Sequence, residues 1–162
     1  MSELFEWNPA TYGLKVPEMD SEHQVLIGYM NRLYELHQQN ASTAQLAAAL
    51  DLLVKFTVKH FADEEAYMTK VGYPGLKIHA GVHRQLLDQV GSHVEKFRSS
   101  GKLTEDFFNF LTFWLKAHIR GVDTKYAKHS AAACPASGSR LRRELMRDPI
   151  EAVAVPYKNG SS

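Results

Sequence analysis

Apolar residues recur every three or four positions through four long stretches of this chain, with polar residues filling the faces between them, which is the signature of amphipathic helices. The first stretch begins at Asp20 or Ser21, either of which can cap it, with Met19 as a staple, and ends near Gln39 or Asn40. Val25, Leu26, Met30, Leu33 and Leu36 mark its apolar positions, and Asn31, Arg32, Glu35 and Gln38 its wet face. After a short break holding Ser42, a second helix is predicted over residues 43 to 69, facing inward with Leu46, Leu50, Leu53, Val54, Thr57, His60, Glu64 and Met68. Gly72, Pro74 and Gly75 then punctuate the chain. The third helix starts near Gly75 or Leu76, carries His79, His83, Leu86, Leu87, Val90, His93, Val94 and Phe97, and closes before Gly101. Gly81 and Gly91 weaken it by about 1 kcal/mol each relative to alanine, and Gly81 is a place for a close helix approach. Thr104, followed by Glu105 and Asp106, opens a fourth helix through Phe107, Phe108, Leu111, Trp114, Leu115, His118, Ile119 and Val122 to about Lys128.

Four such helices with short links and no strand alternation predict an all-α fold, an antiparallel up-down-up-down four-helix bundle with an N-terminal arm and a C-terminal extension. The bundle is expected over residues 1–130, its aromatic arm, with Phe5, Trp7 and Tyr12, lying along the helices. Residues 131–162 form the extension, a loop followed by a short basic helix over 141–147 that docks through Leu141, Leu145 and Met146.

Composition narrows the setting. The chain has 162 residues, 44% hydrophobic and 23% charged, enough for one core without disulfides. A formal net charge of +1 gives no field to attract nucleic acid or anionic lipid. The single cysteine, Cys134, suits a reducing compartment and excludes a thiolate metal cluster. No apolar run is long enough to span a membrane, and the acidic first residues lack a secretory leader's pattern, so a cytoplasmic location is expected.

The chemistry is concentrated in five histidines and two carboxylates that share the inward faces: His23, His60, Glu64, His79, His83, His118 and Asp123. One buried histidine is more often structural than a ligand, but repetition across four helices reverses that expectation. Imidazole with carboxylate suits first-row transition ions, whereas calcium or magnesium would want an oxygen shell. A single structural zinc uses four ligands and leaves three of the seven without a role, so two ions fit better. His79 and His83, four residues apart, can address one ion. His118 and Asp123 are five apart, separated by roughly 140° on an α-helix, an angle suited to a carboxylate reaching between two ions. Glu64, one turn from His60, is the second bridge. Six-coordinate ions sharing both carboxylates and a solvent-derived bridge would leave one open position, sized for a diatomic molecule.

These residues resemble the bacterial hemerythrins, through His23 in Met19-Asp20-Ser21-Glu22-His23, His60-Phe61-Ala62-Asp63-Glu64, His79-Ala80-Gly81-Val82-His83 and His118-Ile119-Arg120-Gly121-Val122-Asp123. The resemblance covers about residues 5 to 128 and leaves the extension without a counterpart. It implies two non-haem irons bridged by an oxo or hydroxo group and by Glu64 and Asp123, with His79, His83 and His118 on one iron and His23 and His60 on the other. Oxygen would bind at the two-histidine iron, in a pocket of Leu26, Phe61, Trp114, Leu115 and Ile119.

The function expected from this resemblance is reversible dioxygen binding for transport, storage or delivery, without enzymatic turnover. A diiron oxygen or redox sensor, and an enzyme of oxidase, peroxidase or nitric-oxide-handling type, are the alternatives. Dioxygen is the expected ligand, with nitric oxide or small anions as substitutes and an oxygen-consuming protein as a recipient. A monomer is expected rather than a large oligomer. His37, His93 and His129 are expected to be structural, Asp63 and Glu65 to be surface charges, and Tyr67 to serve the centre or only pack. Cys134 and the arginines between residues 140 and 147 are expected to be incidental.

Overall fold

A computed structural model describes residues 3–133 of the chain. Its elements are α1 (Pro9–Tyr12), α2 (Pro17–Gln38), α3 (Thr43–Lys70), α4 (Leu76–Ser100), α5 (Glu105–His118), a π-helical turn (Ile119–Asp123) and α6 (Thr124–Ala133). The last three run on from one another as the fourth member of an antiparallel bundle, so the predicted architecture holds.

Helix ends follow local chemistry. Ser42 caps α3 by accepting from the Gln45 amide while the Gln45 side chain accepts from the Ser42 amide, a reciprocal pair in which the cap contributes about 1 kcal/mol. Thr104 caps α5 in the predicted way. Gly101 ends α4 in the left-handed region at φ 69°, which glycine adopts without steric cost. The start of α2 differs from the sequence expectation. Pro17 sits in its first turn, where a missing N–H costs nothing, so the helix begins about three residues early. Asp20 is therefore inside the helix, and its Oδ1 accepts instead from the Leu14 amide at 2.8 Å, fastening the arm.

Leu33, Met68, Phe108 and Ile119 are wholly buried, each worth roughly 1.5–3 kcal/mol of apolar burial. The arm closes one side of this core. Asn31, expected on the wet face, binds the Phe5 backbone through both its amide nitrogen and its oxygen at 2.9 Å, and Phe5 is buried. Val25 is the opposite correction: it is exposed, because it stands about 200° round α2 from His23. Gly81 makes no close helix approach, since a side chain there would meet only the tip of Arg84.

The fourth bundle member stays helical through Ala133, so residues 131–133, expected in a loop, are helical. Tyr67 hydrogen-bonds Ser130 at 2.6 Å, and His129 donates to the Val71 carbonyl at 3.1 Å, tying α6 to the end of α3. The expectations for residues 134–162, including Cys134 and the short basic helix, fall outside the described residues. Among the described residues no helix is long and apolar enough to cross a membrane.

Candidate metal centre

The seven polar side chains singled out by their spacing are all buried and converge in the bundle interior. His23 comes from α2, His60 and Glu64 from one face of α3, His79 and His83 from one face of α4, His118 from the end of α5, and Asp123 from the end of the π turn. That turn alters the geometry expected for Asp123. Its i to i+5 bonding widens the turn and brings the residue five positions on nearer to its start, narrowing the 140° gap an α-helix would leave. Asp123 Oδ1 consequently lies 2.9 Å from His118 Nε2.

Three imidazole nitrogens point at one locus. His118 Nε2 is 3.3 Å from His79 Nε2 and 3.2 Å from His83 Nε2. An imidazole nitrogen sits about 2.1 Å from a bound transition ion, so adjacent ligands at right angles are about 3 Å apart. The observed edges have that size. Glu64 Oε2 reaches the same locus, 2.9 Å from His83 Nε2 and 3.3 Å from His79 Nε2. Beside it, His23 and His60 pack with ring centroids 4.7 Å apart.

The donor atoms form two groups able to hold a metal ion, Glu64 with His79, His83 and His118, and Glu64 with His23 and His60. Glu64 belongs to both. Asp123 also spans them, with Oδ1 3.2 Å from His79 Nε2 and Oδ2 3.3 Å from His23 Nε2. The residues therefore fit two metal ions with two bridging carboxylates. An independent sign is that the buried atoms without a hydrogen-bond partner among the described residues include both nitrogens of His23, Oε2 of Glu64 and both oxygens of Asp123. Buried polar atoms left in this state normally cost about 1–3 kcal/mol each, which metal coordination would relieve.

Electrostatics bind the cluster together without metal. Burial pushes the Glu64 carboxyl up, but the imidazoles of His118, His79 and His83 gathered round Oε2 outweigh it and hold Glu64 well below the usual range. Asp123 is lowered too: burial and the Glu64 charge oppose its ionisation, and the charge of His118, 2.9 Å away, prevails. Burial works against a charged His118, yet Asp123 and Glu64 raise it to about 9.

Three further side chains hold the ligands in place. Glu22 Oε2 accepts from His60 Nδ1 at 2.7 Å, and Glu65 Oε1 accepts from His83 Nδ1 at 2.8 Å, each leaving Nε2 free for a metal. Glu65 is thus no mere surface charge. Lys59 clasps Glu22 at 3.0 Å and also pairs with Asp63, so Asp63 is the surface charge expected. Burial raises the Glu22 carboxyl, but His60 and Lys59 bring it down to about 2. Tyr126, fully buried, donates to Glu64 Oε1 at 2.6 Å. Tyr67 does not bond to the centre, its hydroxyl being taken by Ser130. Glu22 adjoins His23 in the chain, but its partner His60 is 38 residues away and that of Tyr126 is 62 away, so neither contact leaves a local signal.

The predicted pocket residues Leu26, Phe61, Trp114, Leu115 and Ile119 are all buried. Phe61 stacks on His83 with centroids 3.9 Å apart and lies 5.8 Å from Trp114. The remaining histidines stay structural: His37 packs on Phe108, and His93 stacks on Phe110.

Comparison with known proteins agrees with this geometry. Residues 14–129 match the model of the hemerythrin HHE cation binding domain. A bacteriohemerythrin of Stenotrophomonas maltophilia is 31% identical over 109 residues, 67% of this chain and 71% of that protein. Myohemerythrin of Riftia pachyptila is 37% identical over 108 residues, 67% and 79% of the two chains. A bacteriohemerythrin of Pseudomonas aeruginosa is 27% identical over 153 residues, covering 98% of its own length and 91% of this chain, so that match runs into part of the extension. A solved wild-type hemerythrin superposes with TM-score 0.73 at 27% identity, over 79% of this chain and 98% of its own. Ligand set, fold and similarity converge: this chain belongs to the hemerythrin family.

Proposed function

We propose that the chain binds dioxygen reversibly at a non-haem diiron centre, for transport, storage or delivery, without turning over a substrate. The observation that carries the reading is the pairing of two adjoining His/carboxylate groups with buried apolar side chains, of which Phe61 packs on His83 and Trp114 on His118. Bound iron would supply the electrons that an oxygen molecule takes up and returns. The protein's part is to hold that metal and to exclude everything else.

Glu64 and Asp123 lie between the two histidine groups, and neither is exposed. Glu22 and Glu65 fix the tautomers of His60 and His83, so that Nε2 is the free donor on each ring. Leu26, Phe61, Trp114, Leu115 and Ile119 are apolar or aromatic, and offer no carboxylate, imidazole or thiol to act as an acid, base or nucleophile. Such a wall disfavours entry of anions and water, whose burial without partners is costly, and admits an apolar diatomic. A histidine-rich donor set with only two carboxylates supports binding over the oxidation chemistry of carboxylate-rich diiron bundles. The lone cysteine supports placing the protein in a reducing, cytoplasmic setting. Anaerobic iron loading followed by cycles of oxygen addition and removal tests the reading: the optical spectrum is expected to change and return. Irreversible oxidation on first exposure would reject it.

A further inference from the structure

We infer that the cleft between α4 and α5 is the port through which small apolar molecules reach the centre, with Trp114 as its inner door. The inference rests on the oxygen-binding reading. The cleft encloses about 330 Å³, is walled by Val82, Leu86, Phe110, Phe113 and Trp114, and has His118 among its lining residues. Its lining thus includes both exposed surface and a buried ligand residue. Phe113, 75% exposed, belongs to its outer part, whereas His118 is almost wholly buried.

Several features favour this route. Helices α4 and α5, like α2 and α5, approach one another closely at few places, and the apolar cleft lies at the first of these two seams. Trp114 belongs to both spaces: it lines the cleft, its ring is 5.7 Å from His118, and it is 5.8 Å from Phe61, which stacks on His83. The indole Nε1 is buried without a hydrogen-bond partner among the described residues, so swinging the ring breaks no such bond. The walls are chiefly hydrocarbon, which an apolar gas crosses at little cost and a hydrated ion does not. The occupant assigned to the cleft is thus a dioxygen-sized apolar molecule in transit.

A port lowers a barrier without favouring either end state, so narrowing it slows entry and exit alike. Leu86→Trp fills the cleft from α4, and Gln89→Trp does so from an exposed position that does not endanger folding. In the full iron-loaded protein, stopped-flow oxygen uptake and release are expected to slow together by roughly tenfold, with the oxygen affinity unchanged. Tryptophan at exposed Val58 on α3 should leave both rates as they are. Xenon provides a readout independent of oxygen chemistry, since it occupies apolar cavities. Xenon NMR should detect occupancy in the native protein and its loss in Leu86→Trp. Unchanged rates in variants that exclude xenon, or unequal changes that shift the affinity, would overturn the assignment. If the native protein forms no reversible oxygen adduct, the functional reading fails, and xenon missing from the native cleft would then overturn the port as well.

Discussion

Tyr126→Phe isolates one oxygen atom whose loss should be felt across the whole centre. The ring stays packed against Tyr67, Tyr73 and His79, with centroids 5.8, 6.5 and 5.7 Å away, so phenylalanine preserves the contacts and removes only the hydroxyl. What disappears is the 2.6 Å bond to Glu64 Oε1, a donor to a buried charged acceptor. Bonds of that kind are worth about 1.5–3 kcal/mol, and orienting partners of metal ligands typically affect metal affinity by about 10- to 100-fold. Two estimates of different origin thus agree, because a tenfold change corresponds to about 1.4 kcal/mol. Since Glu64 belongs to both donor groups, both metals should bind more weakly. Chelator competition would measure the affinity, and thermal unfolding of the metal-free protein should show a melting point lower by about 4–8 °C for a loss of 2 kcal/mol. Native affinity and native melting point together would refute the reasoning. A lower melting point with native affinity would make the hydroxyl a stabilising bond to Glu64 that does not position it for metal.

Other perturbations separate the roles of individual ligands. His60→Ala should remove metal from one group while Glu64→Ala threatens both, so metal analysis should give different stoichiometries, and equal losses would contradict the division. Glu22→Gln and Glu65→Gln should each weaken metal binding by roughly 10- to 100-fold, the first on the His60 side and the second on the His83 side, as read by competition titration. The pH dependence has two opposed signs. His118 is raised from 6.5 to about 9 in the metal-free protein, so its ion pairing stabilises the fold fully below pH 6.5 and is lost as pH rises through about 9. Metal needs the same ring neutral, so affinity should increase across that window, with proton release on loading. Unfolding and competition titrations over that range check both trends, and a flat affinity profile would contradict the competition.

The sequence made the bundle and its ligands legible because both depend on helical spacing. His60 and Glu64, or His79 and His83, share a face whenever the segment is helical, and the apolar residues in phase with them show which face is buried. Asp123 was identified, but its placement was not, since residue periodicity does not distinguish a π turn from an α turn. The support of Glu64 by Tyr126 and of His60 by Glu22 depends on contacts between helices, and no spacing within one helix encodes them. Glu65 shows the complementary difficulty: a residue two-fifths exposed looks like any helix charge until its partner His83 is brought across from α4. The early start of α2 was written in Pro17, whose preference for the first turn outweighed the capping residues that follow it.

The central claim is that this cluster holds a pair of irons that takes up and releases dioxygen, and metal analysis combined with optical spectroscopy on one sample tests it most directly. Two irons per chain are expected, one for each donor group, with a spectrum that alternates reproducibly through successive oxygenation and deoxygenation cycles. A single iron per chain, or a spectrum that changes once on exposure to oxygen and never returns, would contradict it.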